Sequence, residues 1–131
     1  MQYKFLEHTA DIMFEAYGKS YEEALQNAAA AMFFVIGEAK PLEHRHFSVS
    51  AQNIEELTVF ALSDLLTSSD TDDFIFSKIS VKQFDASKLT LEIDAYGEKK
   101  RPLMSVKAVT YHELLVKEEK DGWTIRILID V

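Results

Sequence analysis

Apolar side chains at Tyr21, Ala24, Leu25, Ala28, Met32 and Val35 recur every third or fourth position, which predicts an amphipathic helix over residues 20–36. Ser20 and Glu23 supply a capping box at its start, in which each side chain satisfies a backbone N–H that the first turn leaves without a partner. Gly37 is suited to close the helix, and Pro41 prevents its continuation. The small residues from Ala28 through Ala31 let such a helix lie close against a sheet. Asn53 and Glu56 repeat the capping pattern and open a second helix. Its stripe is Ile54, Leu57, Ala61 and Leu65, and it fades out in the polar run 67–73.

Elsewhere the apolar period drops to two, the period of a strand with one buried face. Tyr3, Phe5 and Leu6 precede a short polar stretch, and Ile12, Phe14 and Ala16 alternate after it. Within 42–51, Phe47, Val49 and Ala51 alternate with His46, Ser48 and Ser50. Residues 74–84 are apolar and β-prone, with a broken phase that points to a bulge. Leu89, Leu91, Ile93 and Ala95 alternate with Thr90, Glu92 and Asp94. The run 106–117 is extended, and Asp121-Gly122 signals a hairpin. A last strand puts Trp123, Ile125, Ile127, Ile129 and Val131 on one face, with Thr124, Arg126 and Asp130 on the other.

The expected fold is therefore α+β, a single layered domain over 1–131. Two helices pack on a mostly antiparallel sheet of about seven strands, in the order β-β-α-β-α-β-β-β-β. Glu15-Ala16-Tyr17-Gly18 and Asp94-Ala95-Tyr96-Gly97 echo one another as strands ending in a glycine turn.

Composition narrows the function. At 131 residues with 47% hydrophobic and 27% charged positions, the chain can bury a core of ordinary size. It has no cysteine, which excludes disulfide and thiolate chemistry and favours a cytoplasmic location. The opening MQYKFLEH lacks the charged and apolar regions of a secretory signal. No apolar run approaches the roughly 18 residues of a membrane-spanning helix. A formal charge of −8, from 22 acidic and 14 basic residues, repels phosphate backbones, so no direct nucleic-acid binding is expected. A cation or a basic protein surface suits such a chain better.

Several familiar sites are ruled out. Four glycines leave no phosphate-binding loop, no serine stands between glycines as a nucleophile elbow requires, and no His-x-x-x-His pair lies on a helix. His44 and His46 share a strand face, as two metal ligands or two solvated histidines would. His8 and His112 are isolated in sequence, and a structural hydrogen bond is the reading for each. In His8-Thr9-Ala10-Asp11, the polar groups either satisfy the backbone of a tight connection or form a site presented by the flanking strands. Asp130 and the α-carboxylate of Val131 set two anionic groups within one residue. If that strand end lies beside Asp11, three oxygen donors converge, the kind of shell a hard cation such as Ca²⁺ or Mg²⁺ takes.

The stretch Phe5-Leu6-Glu7-His8-Thr9-Ala10-Asp11-Ile12, followed by Ala16-Tyr17-Gly18 and an alanine-rich helix, resembles the archease family. So do Val106-Lys107-Ala108-Val109-Thr110-Tyr111-His112 and Asp121-Gly122-Trp123 leading to Asp130-Val131. The likeness spans essentially the whole chain. It implies a non-enzymatic cofactor of an RtcB-type tRNA-splicing RNA ligase, one that promotes guanylylation and multiple turnover of the ligase. It also implies a divalent cation, Ca²⁺ or else Mg²⁺ or Mn²⁺, on Asp11, Asp130 and Val131. Lys107, in the Lys-Ala-Val-Thr motif, is then a candidate contact to ligase or nucleotide, and His8 and Thr9 are candidates for bracing the site. The chain departs from the family where residues 98–104 form a short basic stretch and Ser105 stands in place of a glutamate. Two rival readings share the fold. One is a metal-dependent hydrolase with His8 or Glu7 as base, which lacks a second cluster of acid and base residues. The other is a general chaperone or interaction module for RNA-processing proteins.

Overall fold

The computed structural model describes residues 1–8 and 10–131, so the candidate Thr9 lies outside the described residues. The elements are β1 (Tyr3–Leu6), β2 (Ile12–Gly18), α1 (Tyr21–Ile36), β3 (Glu43–Ser50), α2 (Ile54–Asp72), β4 (Phe74–Asp85), β5 (Thr90–Lys99), β6 (Ala108–Glu119) and β7 (Gly122–Asp130). This is the α+β order that the hydrophobic pattern predicts. The strands divide between two antiparallel sheets, one ordered β1-β2-β7-β6 and the other β3-β5-β4.

Each helix touches both sheets. α1 packs on β2 and β7 of the larger sheet and on β4 of the smaller, while α2 packs on β6, β3 and β4. A helix held between two sheets needs apolar residues nearly all round. In α1, only Glu23 and Phe34 are exposed, and Ala28, Ala29 and Ala31 are wholly buried where the sheets approach. Ser20 and Asn53 cap as read, Glu23 N–H donating to Ser20 Oγ at 3.1 Å and Glu56 N–H to Asn53 Oδ1 at 2.8 Å, while Glu23 and Glu56 accept from the N–H groups of Lys19 and Gln52, one residue before each cap. Tyr21 and Thr58, near the starts of the two helices, share a buried 2.7 Å hydrogen bond.

Four local readings change. First, α2 runs on through the polar stretch to Asp72 because that stretch has partners. Ser69 Oγ donates to the Phe74 carbonyl, and Arg45 donates to Ser68 at 3.0 Å and to Asp72 at 2.6 Å while lying 3.9 Å over the Phe74 ring. Second, Leu89 is a turn residue with φ of 55°, and β5 starts one position later. Third, the β6–β7 connection consists of Lys120 and Asp121, since Glu119 pairs with Gly122 and the glycine opens β7. Fourth, the echo of Tyr17-Gly18 in Tyr96-Gly97 is no second turn. Gly18 ends β2, but Gly97 lies inside β5, against the stretch of β4 where the register slips between Phe76 and Lys78. That slip and a second between Val81 and Gln83 are the bulging that the broken phase of 74–84 predicts.

Candidate functional site

β2 and β7 are paired so that Ile12 faces Ile129 and Phe14 faces Ile127. In an antiparallel pair, one step back on one strand meets one step forward on the other. Asp11 and Asp130, the residues next to the Ile12–Ile129 pair, therefore lie at the same end of the sheet. β6 begins its pairing with β7 at Ala108 and Asp130, which brings Lys107 and Val131 to that same end. The strand order thus gathers residues from both ends of the sequence at one end of one sheet. Asp11, Asp130 and Val131 are half-buried and Lys107 is exposed. The Asp130 carbonyl accepts the Lys107 N–H at 2.7 Å.

Beside Asp11 opens a cleft of about 940 Å³, walled by Phe5, Leu6, Ile12, Phe34, Val35 and Met104, with Glu7 and His8 on its polar side. Phe5 and Phe34 stack at 5.9 Å and remain exposed, as does Met104. Met104 reaches the cleft because the segment between β5 and β6 docks on the end of α1. The N–H groups of Leu103 and Met104 donate to the Ile36 carbonyl at 2.9 and 3.3 Å, using an acceptor that the last helical turn leaves open. Ser105 in that segment is exposed.

The two isolated histidines meet. His8 Nε2 lies 3.7 Å from Glu113 Oε2, His112 Nε2 lies 3.4 Å from the same oxygen, and the two rings stand edge to face at 6.3 Å. Glu113 is absent from the candidates drawn from sequence. Its signal was the spacing of Val109 and Val116, both buried yet an odd number of residues apart, which a regular strand cannot allow on one face. β6 accommodates them with a register break between Thr110 and Leu115.

The other histidine pair sits on the outer face of the smaller sheet. His46 contacts Asp94 through Nδ1 at 2.8 Å and Glu92 through Nε2 at 2.7 Å, and His44 Nε2 lies 3.0 Å from Asp94. Ionised carboxylates only accept, so both His46 nitrogens carry protons. The hydrogen bond to Asp94, then that to Glu92, raises the His46 pKa above its usual value. His46 in turn holds both carboxylates below theirs, with Ser48 adding to the effect on Glu92 and His44 to that on Asp94. His46, exposed on the strand as is His44, is the centre of a surface salt-bridge cluster.

The archease protein family (MTH1598/TM1083) matches residues 3–131 of the chain. The protein belongs to the archease family. Curated archeases share its sequence at full length. That of Methanosarcina barkeri is 36% identical over 99% of this chain and 96% of its own, and that of Sulfolobus acidocaldarius 34% identical over 99% of each. The solution structure of Methanobacterium thermoautotrophicum protein 1598 superposes with a TM-score of 0.84 at 32% identity, covering 99% of both chains. The crystal structure of a Thermotoga maritima archease, described as a possible chaperone, superposes with a TM-score of 0.68 at 22% identity over 98% of this chain and 96% of its own. The latter likeness speaks to the fold alone. Of the stretches that carry the resemblance to archease, the β1–β2 connection, the approach to β6 and the end of β7 lie at one end of the larger sheet, while Ala16-Tyr17-Gly18 and Asp121-Gly122-Trp123 meet at the other.

Proposed function

We propose that this archease is a non-enzymatic protein cofactor of an RtcB-type tRNA-splicing RNA ligase, acting with a divalent cation to promote guanylylation and repeated turnover of the ligase. Family membership supports the assignment. The observation that supports the cation reading is the β2–β7 register, whose Ile12–Ile129 pair brings the neighbouring residues Asp11 and Asp130 to the same end of the sheet. Asp11, Asp130 and the Val131 carboxylate would hold the ion. The donor set suits it: all three are anionic oxygens, fit for Ca²⁺ and, with tighter geometry, for Mg²⁺ or Mn²⁺. When bound, such an ion supplies fixed positive charge at an otherwise acidic tip. The tip would engage the ligase and bias it toward its nucleotide-reactive state. Lys107, exposed beside Asp130, is the candidate contact to ligase or nucleotide. With a net charge of −8, the protein is suited to dock beside a basic RNA-binding groove and to associate fastest at low salt.

The test is RNA ligation by the cognate ligase under multiple-turnover conditions. With this protein present, ligation should continue beyond one equivalent of ligase. Equal progress with and without it overturns the proposal, and RNA turnover by the protein alone would revive the metal-dependent hydrolase. Calorimetry with CaCl₂ tests the ion separately: absence of binding, or binding unchanged in Asp11→Ala, removes the cation from the account.

A second reading, a chaperone-like interaction module, draws on the apolar cleft beside Asp11 with Phe5, Phe34 and Met104 exposed at its walls. It requires no ion, so the same calorimetry separates the two.

A further inference from the structure

In a regular strand, adjacent side chains point to opposite faces of the sheet. His112 and Glu113 are adjacent in β6, yet both reach toward one point, because Glu113 has left-handed backbone with φ of 52° inside the register break. This conformation is costly for a residue with a side chain and persists only where its surroundings hold it. Here Arg126 Nε donates to the Glu113 carbonyl at 3.0 Å, and the His112 N–H donates to Thr110 Oγ1 at 3.3 Å. The third member, His8, arrives from the connection between β1 and β2, although β1 and β6 are the opposite edges of the sheet. Among the described residues, this is the one cluster in which three His, Asp or Glu donors lie within 4.8 Å of one another.

Two of the three spacings are close to those of a coordination shell. Metal–ligand bonds of about 2.0–2.1 Å in tetrahedral arrangement put neighbouring ligand atoms about 3.3–3.4 Å apart. Glu113 Oε2 lies 3.4 Å from His112 Nε2 and 3.7 Å from His8 Nε2. Two imidazoles and one carboxylate make a borderline donor set, which suits Zn²⁺ and contrasts with the oxygen-only shell of a hard cation. Three protein ligands leave a fourth position, and the exposure of His112 and Glu113 leaves it open to water.

We propose that His8, His112 and Glu113 form a Zn²⁺ site, separate from the oxygen donors Asp11, Asp130 and Val131. The ion would join the β1–β2 connection to the bulge of β6, clasping two edges of the sheet that share no backbone pairing. The claim stands whether or not the protein activates a ligase.

Calorimetric titration of metal-stripped protein with ZnCl₂ tests it, alongside an NMR spectrum of the histidine ring nitrogens. The expected result is one Zn²⁺ per chain, with the His8 and His112 ring signals shifting on binding. His8→Ala and His112→Ala should each weaken binding roughly 100-fold, since even groups behind the ligands of a metal site are worth roughly 10- to 100-fold. His46→Ala and Asp11→Asn should leave binding unchanged. His112 is exposed, and far-UV circular dichroism checks that its variant folds. Absence of Zn²⁺ binding by the parent protein overturns the proposal, as does equal binding by His112→Ala. Loss confined to His46→Ala or Asp11→Asn also overturns it, by moving the ion to another cluster.

Discussion

The Lys107 N–H donates to the Asp130 carbonyl at 2.7 Å, tying the approach to β6 to the last residue of β7. This bond separates two truncations. Deleting Val131 moves the terminal carboxylate back onto the carbonyl carbon that Lys107 already engages, so it disturbs the proposed cation shell while the strand pairing remains. Ca²⁺ affinity and ligase stimulation should fall, with a small loss of stability from the half-buried valine. Deleting Asp130 and Val131 together also removes the hydrogen bond, adding about 1 kcal/mol of destabilisation, and should abolish stimulation in a protein that still folds. Calcium calorimetry and urea denaturation on both variants check this. Full stimulation by the shorter variant would contradict the cation site.

Gly97 has a different kind of constraint. A Cβ built there would lie 2.1 Å from the Ile75 carbonyl oxygen and 2.7 Å from the Phe76 Cα. Both are backbone atoms of the neighbouring strand and cannot swing aside as a side-chain tip could. Gly97→Ala should therefore force β4 and β5 apart at the bulge and cost about 1–3 kcal/mol, the range of overpacked cores. A lowered urea midpoint with unchanged slope is the expected result. An unchanged midpoint would show that the two strands have room to spare.

The helices and their N-terminal caps were legible in the sequence because each is set by local chemistry: Ser20 with Glu23, Asn53 with Glu56, and an apolar stripe behind each cap. Strand existence was equally plain wherever alternation was clean, as from Leu91 to Ala95. The partition of strands into two sheets was not, since it depends on which strand finds which partner, and alternation is the same in either sheet. The end of α2 was misjudged because Ser68, Ser69 and Asp72 look like a helix dissolving into solvent. Arg45, on a distant strand, holds Ser68 and Asp72, and the Phe74 carbonyl holds Ser69. The candidate site divides the same way. Asp11 and Asp130 could be named from their chemistry, but their lying at the same end of the sheet is a matter of register. His8 and His112 could not be joined at all without Glu113, whose position depends on a bulge that breaks the pattern the sequence is read by.

The buried bond between Tyr21 and Thr58 predicts an asymmetry. Thr58 Oγ1 also lies 2.8 Å from the Ile54 carbonyl, to which its one hydrogen must go. Tyr21 is therefore the donor in the 2.7 Å bond between them. Tyr21→Phe leaves the Thr58 hydroxyl still bonded to Ile54 and removes only an accepted bond, about 1 kcal/mol. Thr58→Val strands the Tyr21 hydroxyl, a donor in a site where burial already pushes its pKa far above the usual phenol range, and should cost about 1–3 kcal/mol. Denaturant titration of both variants gives the order. A larger loss in Tyr21→Phe would reverse the donor assignment.

The salt-bridge centre on the outer face of β3 and β5 gives the protein a stability component with two pH limits. His46 has its pKa raised from 6.5 in the folded state, so its contribution is complete below that value and is lost as pH rises through the higher folded one. Glu92 and Asp94 are lowered from 4.5 and 3.8, so theirs is complete above those values and is lost as pH falls through the lower folded ones. The network is thus whole from the ordinary carboxylate range up to the neutral side of an ordinary histidine. His46 is exposed and Glu92 and Asp94 are partly so, so salt should weaken it. In His46→Gln, the thermal midpoint should fall most relative to the parent near pH 5 to 6, and the difference should shrink toward pH 9 as the parent's own imidazolium deprotonates. An NMR titration of His46 should give a midpoint above that of a free histidine, returning toward it in Asp94→Asn. A difference between His46→Gln and parent that grows with rising pH would carry the opposite sign, and would mean that His46 stabilises the fold as a neutral ring.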